Sequence, residues 1–192
     1  MTGENVKGAL YALVNTLLNS AKEPKEVFLP FRNAVENAPM KILFTGPEKT
    51  GTKTSFILRY ITGAFNGAPP KRANVTEKTV YVNGVPVELD LVDAPGVEKS
   101  FSASSNFKNA AAVIVGYDIT SRSSFEQACS ACKLIAQKYP NVVMMLIGGM
   151  AERISERQVS VDEAKAQAKA SNIKLFFEGL LFIISKYNFY LV

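Results

Sequence analysis

The sequence predicts an α/β fold: a doubly wound, mostly parallel sheet flanked by helices, with one antiparallel hairpin. Three observations carry that expectation. The runs at 41–45, 110–117 and 142–147 are nearly unbroken apolar stretches, the pattern of parallel strands covered on both faces. Segments of helical spacing lie between them, so strands alternate with helices. The segments 79–82 and 85–92 flank Asn83-Gly84, a strong two-residue hairpin turn. In such a sheet, ligands belong at the carboxyl ends of the strands.

In chain order, Leu10, Leu13, Val14, Leu17 and Leu18 recur at helical spacing over 7–18, with Asn5 or Thr2 placed to cap. Pro24, Pro30 and Pro39 mark the following segment as an extended connector. Its apolar patch, Val27-Phe28-Leu29-Pro30-Phe31, is expected to dock. The first strand is expected at 41–45, a helix at 54–65 and a loop with Pro69 and Pro70 at 67–73. Further helices are expected at 123–139 and 161–171. The stretch 180–192 is aromatic and aliphatic with few charges, and reads equally as a buried helix or an added strand.

The chain is organised around the turn after the first strand. It carries Gly46, Gly51, Thr52, Lys53, Thr54 and Ser55. A strand, a Gly-containing turn and a helix start form the context of a phosphate-binding loop. There backbone N–H groups and the helix's positive end hold anionic oxygens. A lysine adds a point charge, and a Ser/Thr hydroxyl can hold Mg²⁺. The usual spacing is G-x-x-x-x-G-K-[ST]; here Thr52 separates Gly51 from Lys53. One extra residue turns whatever follows on a helix by roughly 100°. Either the loop bulges to absorb it, or lysine and hydroxyl no longer meet one phosphate.

From residue 41 to about 178 the chain resembles a small GTPase of the Rab/Ras type. Lys53-Thr54-Ser55-Phe56-Ile57-Leu58-Arg59-Tyr60 is similar to the family's K-T-S-L-L-x-R-Y, and Asp93-Ala94-Pro95-Gly96 to its D-x-x-G. Tyr117-Asp118-Ile119-Thr120, followed by Ser124-Phe125, resembles Y-D-[VI]-T-x-x-x-S-F. Gln158-Val159-Ser160 followed by Glu163-Ala164 resembles the Rab run before the last helix-and-strand pair, and Phe176-Phe177-Glu178 the F-F-E that leads into S-A-K. The fold implied is the P-loop G domain, spanning 40–178. Thr2-Gly3-Glu4-Asn5-Val6 resembles the segment that opens a Rab's last helix, so 1–19 is expected to be such a helix, 20–39 a linker and 179–192 an atypical hydrophobic segment. Two arrangements follow: the end of one G domain leading into a second, as in a tandem protein, or a helix folding back onto the domain that follows it.

The resemblance also says which gripping groups are missing. The guanine motif N-K-x-D is represented by Gly149-Met150-Ala151-Glu152, and S-A-K by Gly179-Leu180-Leu181. Glu152 keeps a carboxylate on a longer arm and is the candidate base contact. Losing such hydrogen-bonding partners costs roughly 10⁴-fold in discrimination. The threonine that the family offers to Mg²⁺ falls at Pro70, with Thr76 the nearest substitute. Val97 follows Gly96 where the family has its water-orienting glutamine. What remains as phosphate- or nucleotide-binding candidates is Gly46, Gly51, Thr52, Lys53, Thr54, Ser55 and Gly96, with Thr54 and Asp93 for Mg²⁺. No catalytic residue is assigned. The cofactors implied are Mg²⁺ with GTP or GDP, if the site takes any.

Composition narrows the partners. The chain has no histidine and two cysteines, so histidine acid–base chemistry and Cys/His zinc sites are excluded. Cys129 and Cys132 are spaced C-x-x-C but fall mid-helix, where they read as small residues on one face rather than a redox pair. The net charge of +5 comes from scattered Lys and Arg, against nucleic-acid binding. No run reaches the roughly 20 apolar residues of a membrane span, and Leu191-Val192 offers no cysteine for prenylation. The expectation is a cytoplasmic, Rab-like regulatory module of vesicle trafficking. It would bind a protein partner or a second G domain and reach endomembranes through partners. The other reading is an unconventional GTPase that binds nucleotide through a bulged loop and hydrolyses it slowly.

Overall fold

The computed structural model describes residues 4–20, 38–48, 50–62, 74–96, 106–173, 175–178 and 189–191. Its strands are β1 (Met40–Thr45), β2 (Asn74–Val82), β3 (Val85–Asp93), β4 (Ala110–Asp118), β5 (Val143–Gly149), β6 (Leu175–Glu178) and β7 (Phe189–Leu191). They form one sheet in the order β2-β3-β1-β4-β5-β6-β7. The neighbours from β3 to β6 run parallel, and β2 and β7 are antiparallel edges. The helices are α1 (Glu4–Ser20), α2 (Thr52–Thr62), α3 (Arg122–Lys138) and α4 (Val161–Ala170), with a 3₁₀ turn at Ala151–Glu156. This is the doubly wound sheet expected from the apolar runs. Strand order reverses between β1 and β4, which places the ligand crevice at their carboxyl ends.

The period of two along each strand divides the core. Ile42, Phe44, Ala112, Ile114, Met145, Ile147, Leu175 and Phe177 face one side, where they pack with α1 and α2. Leu43, Val113, Val115, Tyr117, Met144, Leu146 and Phe176 face the other, against α3 and α4. Phe56 of α2 ties its face together, with ring centroids 5.6 Å from Phe44 and 6.1 Å from Phe177. Each such side chain, buried, stabilises by about 1.5–3 kcal/mol.

Helix α1 lies on the α2 side. Leu10, Leu13, Val14 and Leu17 are buried with Phe44, Phe56, Ile57 and Tyr60. The Tyr11 hydroxyl donates to Asn83 Oδ1 at 3.1 Å, which ties the helix to the hairpin turn. That turn is of the expected kind, with Asn83 at φ 52° and Gly84 at φ 81°.

Several sequence expectations are corrected. Helix α1 starts at Glu4, so Asn5 lies inside it rather than capping it. Helix α2 starts at Thr52, not at 54. Strand β2 starts at Asn74 rather than at 79, and pairs with β3 from Asn74↔Asp93 to Val82↔Val85. Its first half is mostly exposed and polar, as an edge strand tolerates, so no apolar alternation announced it. Thr76 therefore sits in the ladder opposite Leu91, not in a loop that could stand in for a metal-binding threonine. Phe189–Leu191 pairs antiparallel with β6, a second antiparallel pairing that resolves part of the C-terminal stretch as an added strand. Pro70, Val97 and the 27–31 patch lie outside the described residues.

Cys132 is buried and Cys129 half-buried on α3, with burial raising their thiols to about 12 and about 11. Such thiols are inert at neutral pH. Among the described residues no helix is long and apolar enough to cross a membrane.

Candidate functional site

Between β1 and α2 the additional residue, Thr52, is taken into the helix as its first residue. The first helical bond runs from Ser55 N to Gly51 O at 2.9 Å, and Gly51 takes φ +70°. Thr52, Lys53 and Thr54 then form the first turn of α2. At the other end, Gly46 takes φ +145°, and a Cβ there would come within 2.4 Å of Gly116 O. Only glycine lets the loop lie this close to β4.

Lys53 bends back over the loop. Its Nζ donates to Gly46 O at 3.3 Å and to Pro47 O at 3.4 Å. Burial lowers the ammonium below its usual value, and the negative charges of Asp93 and Glu48 oppose that shift. The Thr54 hydroxyl donates to Asp93 Oδ2 at 2.6 Å. Burial raises the Asp93 carboxyl, opposed by the Thr54 hydrogen bond and by Lys53. Asp93 is only 5% exposed, and its Oδ1 has no hydrogen-bond partner among the described residues. A buried carboxylate oxygen without a partner, beside a hydroxyl, fits a hard cation such as Mg²⁺. The lysine, hydroxyl and carboxylate singled out in the sequence are thus brought together, and Ser55 sits half-buried one residue on.

Thr52 goes elsewhere. Its hydroxyl donates to Tyr117 O at 3.0 Å, turned towards the sheet. Its side chain fills the space above Gly149, where a Cβ would come within 2.4 Å of Thr52 Oγ1 and 2.6 Å of its Cγ2. Gly149 is the residue standing where the family motif has asparagine, and its glycine is required by this contact. The preceding Gly148 is covered similarly, since a Cβ there would lie 2.9 Å from the Tyr117 hydroxyl oxygen. Met150, at φ 62°, places its Cε 3.2 Å from where a Gly51 Cβ would be. Thr52 and Met150 thus pack between the β1–α2 turn and the end of β5. Glu152 is exposed in the 3₁₀ turn.

Sequence reasoning missed two participants. Glu48 lies across the loop against Gly96, whose Cβ, were there one, would come within 2.3 Å of Glu48 Cγ and 3.1 Å of Oε1. No spacing rule flags a lone loop glutamate. The second is the Arg157–Glu178 pair below Tyr117, with Arg157 Nη1 donating to Glu178 Oε2 at 3.1 Å. It locks the 3₁₀ turn's exit to the end of β6.

A model of the Ras family matches residues 41–179. The chain is 36% identical over 149 residues to the Ras-related protein Rab5A of Oryza sativa subsp. japonica, an alignment covering 76% of this chain and 71% of that protein. It is 33% identical over 146 residues to the Ras-related protein RABF2a of Arabidopsis thaliana, covering 74% and 72% respectively.

Proposed function

The chain belongs to the Ras family, as a Rab-like small GTPase domain, and on that footing we propose that it acts as a regulatory protein-interaction module with a degenerate guanine site. One observation carries this reading: Thr52 packs against Gly149 while Met150 lies over Gly51. A site that recognises guanine needs donors and acceptors facing the base. On this reading a methyl-bearing side chain and a thioether stand where such groups would be needed. By kinship with Rab proteins, the setting is vesicle trafficking, on endomembranes reached through protein partners or a second G domain. Helix α1 would take the place of a Rab domain's last helix, with 20–39 as its linker.

Isothermal titration of the nucleotide-stripped chain with GDP and with GTP, each with Mg²⁺, tests the reading. Dissociation constants weaker than about 100 μM are expected, a binding free energy of about −5.5 kcal/mol or less in magnitude. Micromolar or tighter binding of either nucleotide overturns it.

The retained phosphate end favours a second reading, an unconventional GTPase with slow hydrolysis. Lys53, Thr54 and Asp93 would hold Mg²⁺ and phosphate, and Glu152 would reach the base. Mg²⁺ bound there would supply neutralisation of phosphate charge. This chain's residues supply the anchoring: Thr54 and Asp93 for the cation, Lys53 for the anion. That reading requires GTP or GDP to co-purify, to be released by heat and identified by chromatography, and to vanish in Lys53→Ala.

A further inference from the structure

The hairpin turn that meets α1 carries a reactive pair of residues that the candidate site does not use. Asn83 and Gly84 are both exposed. A Cβ at Gly84 would find nothing within 4 Å beyond its chain neighbours. The Gly84 backbone nitrogen is therefore shielded neither by a side chain of its own nor by a packed neighbour. Asparagine is a thermolabile residue, and a following glycine leaves the least hindrance to attack on its side-chain amide. Two constraints hold the pair apart in the folded chain. Both residues keep positive φ, 52° and 81°, in a turn closed by the Val82↔Val85 pair. The Asn83 amide oxygen accepts the Tyr11 hydroxyl of α1 at 3.1 Å, which pins the side chain that would have to swing towards Gly84.

We infer that Asn83 is a deamidation site gated by α1: the docked helix holds its amide away from Gly84, and release of the helix lets the pair cyclise. In the reaction, Gly84 N attacks Asn83 Cγ. A bond forms between them, the bond from Cγ to Nδ2 breaks, and Nδ2 leaves as ammonia, the proton lost by Gly84 N completing it. Water then opens the succinimide at either carbonyl, giving aspartate or isoaspartate, and nothing is oxidised or reduced. The two products differ in consequence. Aspartate still offers Tyr11 an acceptor and suits the same two-residue turn. Isoaspartate routes the backbone through Cβ and lengthens it by one atom. The turn then no longer sets Val82 opposite Val85, and strand register depends on turn length. The hairpin thus loses its tie to α1 for good, so the modification records how long the helix has been away. The inference concerns α1 and the hairpin, and holds whatever the β1–α2 turn binds.

The test incubates the full chain in mildly alkaline buffer below its melting temperature, with melting temperature as the check that each variant folds. Tryptic peptide 79–99 is followed by mass for the conversion of amide to acid, and isoaspartate by enzymatic methylation. The folded wild type should convert at least about tenfold more slowly than the same chain in denaturant, as expected of a reaction that waits on local opening. Tyr11→Phe keeps the ring and removes the bond. It should convert about two- to tenfold faster than the wild type, the worth of one neutral hydrogen bond, and at the wild-type rate when both are unfolded. Leu13→Ala loosens α1 from its buried face and should also convert faster. The isoaspartyl fraction should melt below the wild type, and Asn83→Asp should melt with it. A folded Tyr11→Phe that converts at the wild-type rate, or a folded wild type that converts as fast as the unfolded chain, overturns the gate. An isoaspartyl fraction that melts with the wild type overturns the loss of the tie to α1.

Discussion

At the phosphate end of the cleft, polar side chains converge: Lys53 on the loop carbonyls, Thr54 on Asp93, and an Asp93 oxygen left over. At the end of β5, small residues leave room that neighbours take: Tyr117 beside Gly148, Thr52 beside Gly149, and Met150 beside Gly51. The two ends share one helix turn. Thr52 and Lys53 are adjacent, yet one serves the filling and the other the polar cluster. The added residue that looked like damage in the sequence, Thr52, opens the helix and packs against Gly149, while Lys53 and Thr54 make the polar contacts. Packing and polar roles are therefore separated within a single turn of helix.

The largest effect expected at the phosphate end is that of Gly46→Ala. Its Cβ meets the backbone of β4, and its φ lies in a region that disfavours side chains. Strain and overpacking each cost about 1–3 kcal/mol, so denaturant unfolding should show a loss of about 3 kcal/mol or more. A near-neutral result would mean that the loop is not clamped to the sheet. At the base end the comparable change is Arg157→Leu, which strands Glu178, only 7% exposed, while Arg157 itself is 20% exposed. Removing one partner of a fully buried pair costs about 3–5 kcal/mol. The partial exposure of Arg157 reduces the expected loss to about 2–3 kcal/mol at pH 7, with Glu178→Gln in the Arg157→Leu background recovering part of it.

A double-mutant cycle measures the filling itself. Gly149→Ala should cost about 1–3 kcal/mol through overlap with Thr52, and most of that cost should disappear in a Thr52→Gly background. A coupling below about 0.5 kcal/mol would show the two sites to be independent, which would remove the argument for a filled base side.

The polar end should instead answer to pH. Burial outweighs the favourable contacts of Asp93 and raises its carboxyl above the usual 3.8. The folded state then holds that proton more tightly than the unfolded chain. The resulting stability is fully present below 3.8 and is lost as pH rises through the raised value. Asp93→Asn has no such loss. Without Mg²⁺, it should melt higher than the wild type at pH 7, by roughly 2–4 °C for each kcal/mol relieved, and the gap should close on acidification. Added Mg²⁺ should raise the melting temperature of the wild type and not of the variant. The smallest effect belongs to Glu152→Ala, within about 0.5 kcal/mol as for other exposed positions. Its nucleotide titration should also be unchanged if the base side is filled.

Much of the fold was legible because buried parallel strands leave an unmistakable trace. The stretches around Ile42, Val113 and Leu146 are apolar on consecutive residues, which a half-exposed element does not need. The hairpin turn was legible because Asn83 and Gly84 both accept positive φ. The first half of β2 was not, since an edge strand bearing Asn74, Thr76, Glu77 and Lys78 carries no apolar period. At the site, Lys53, Thr54 and Asp93 could be picked out by motif. Glu48 could not, because it meets Gly96, far along the chain, only in the fold. Gly149 could be seen as a departure from a motif, but not as the counterpart of Thr52.

The order of residues by itself determined the doubly wound sheet, the loop after the first strand and the kinship with Ras-type domains, because burial and turn chemistry act through near neighbours in the chain. The tertiary structure alone decided that Lys53 meets the loop carbonyls and Thr54 meets Asp93, that the extra residue Thr52 packs against Gly149, and that Glu48 lies against Gly96. Those are contacts between segments brought together only when the sheet closes, and whether a side chain grips a ligand or fills its place is a matter of ångströms between such segments.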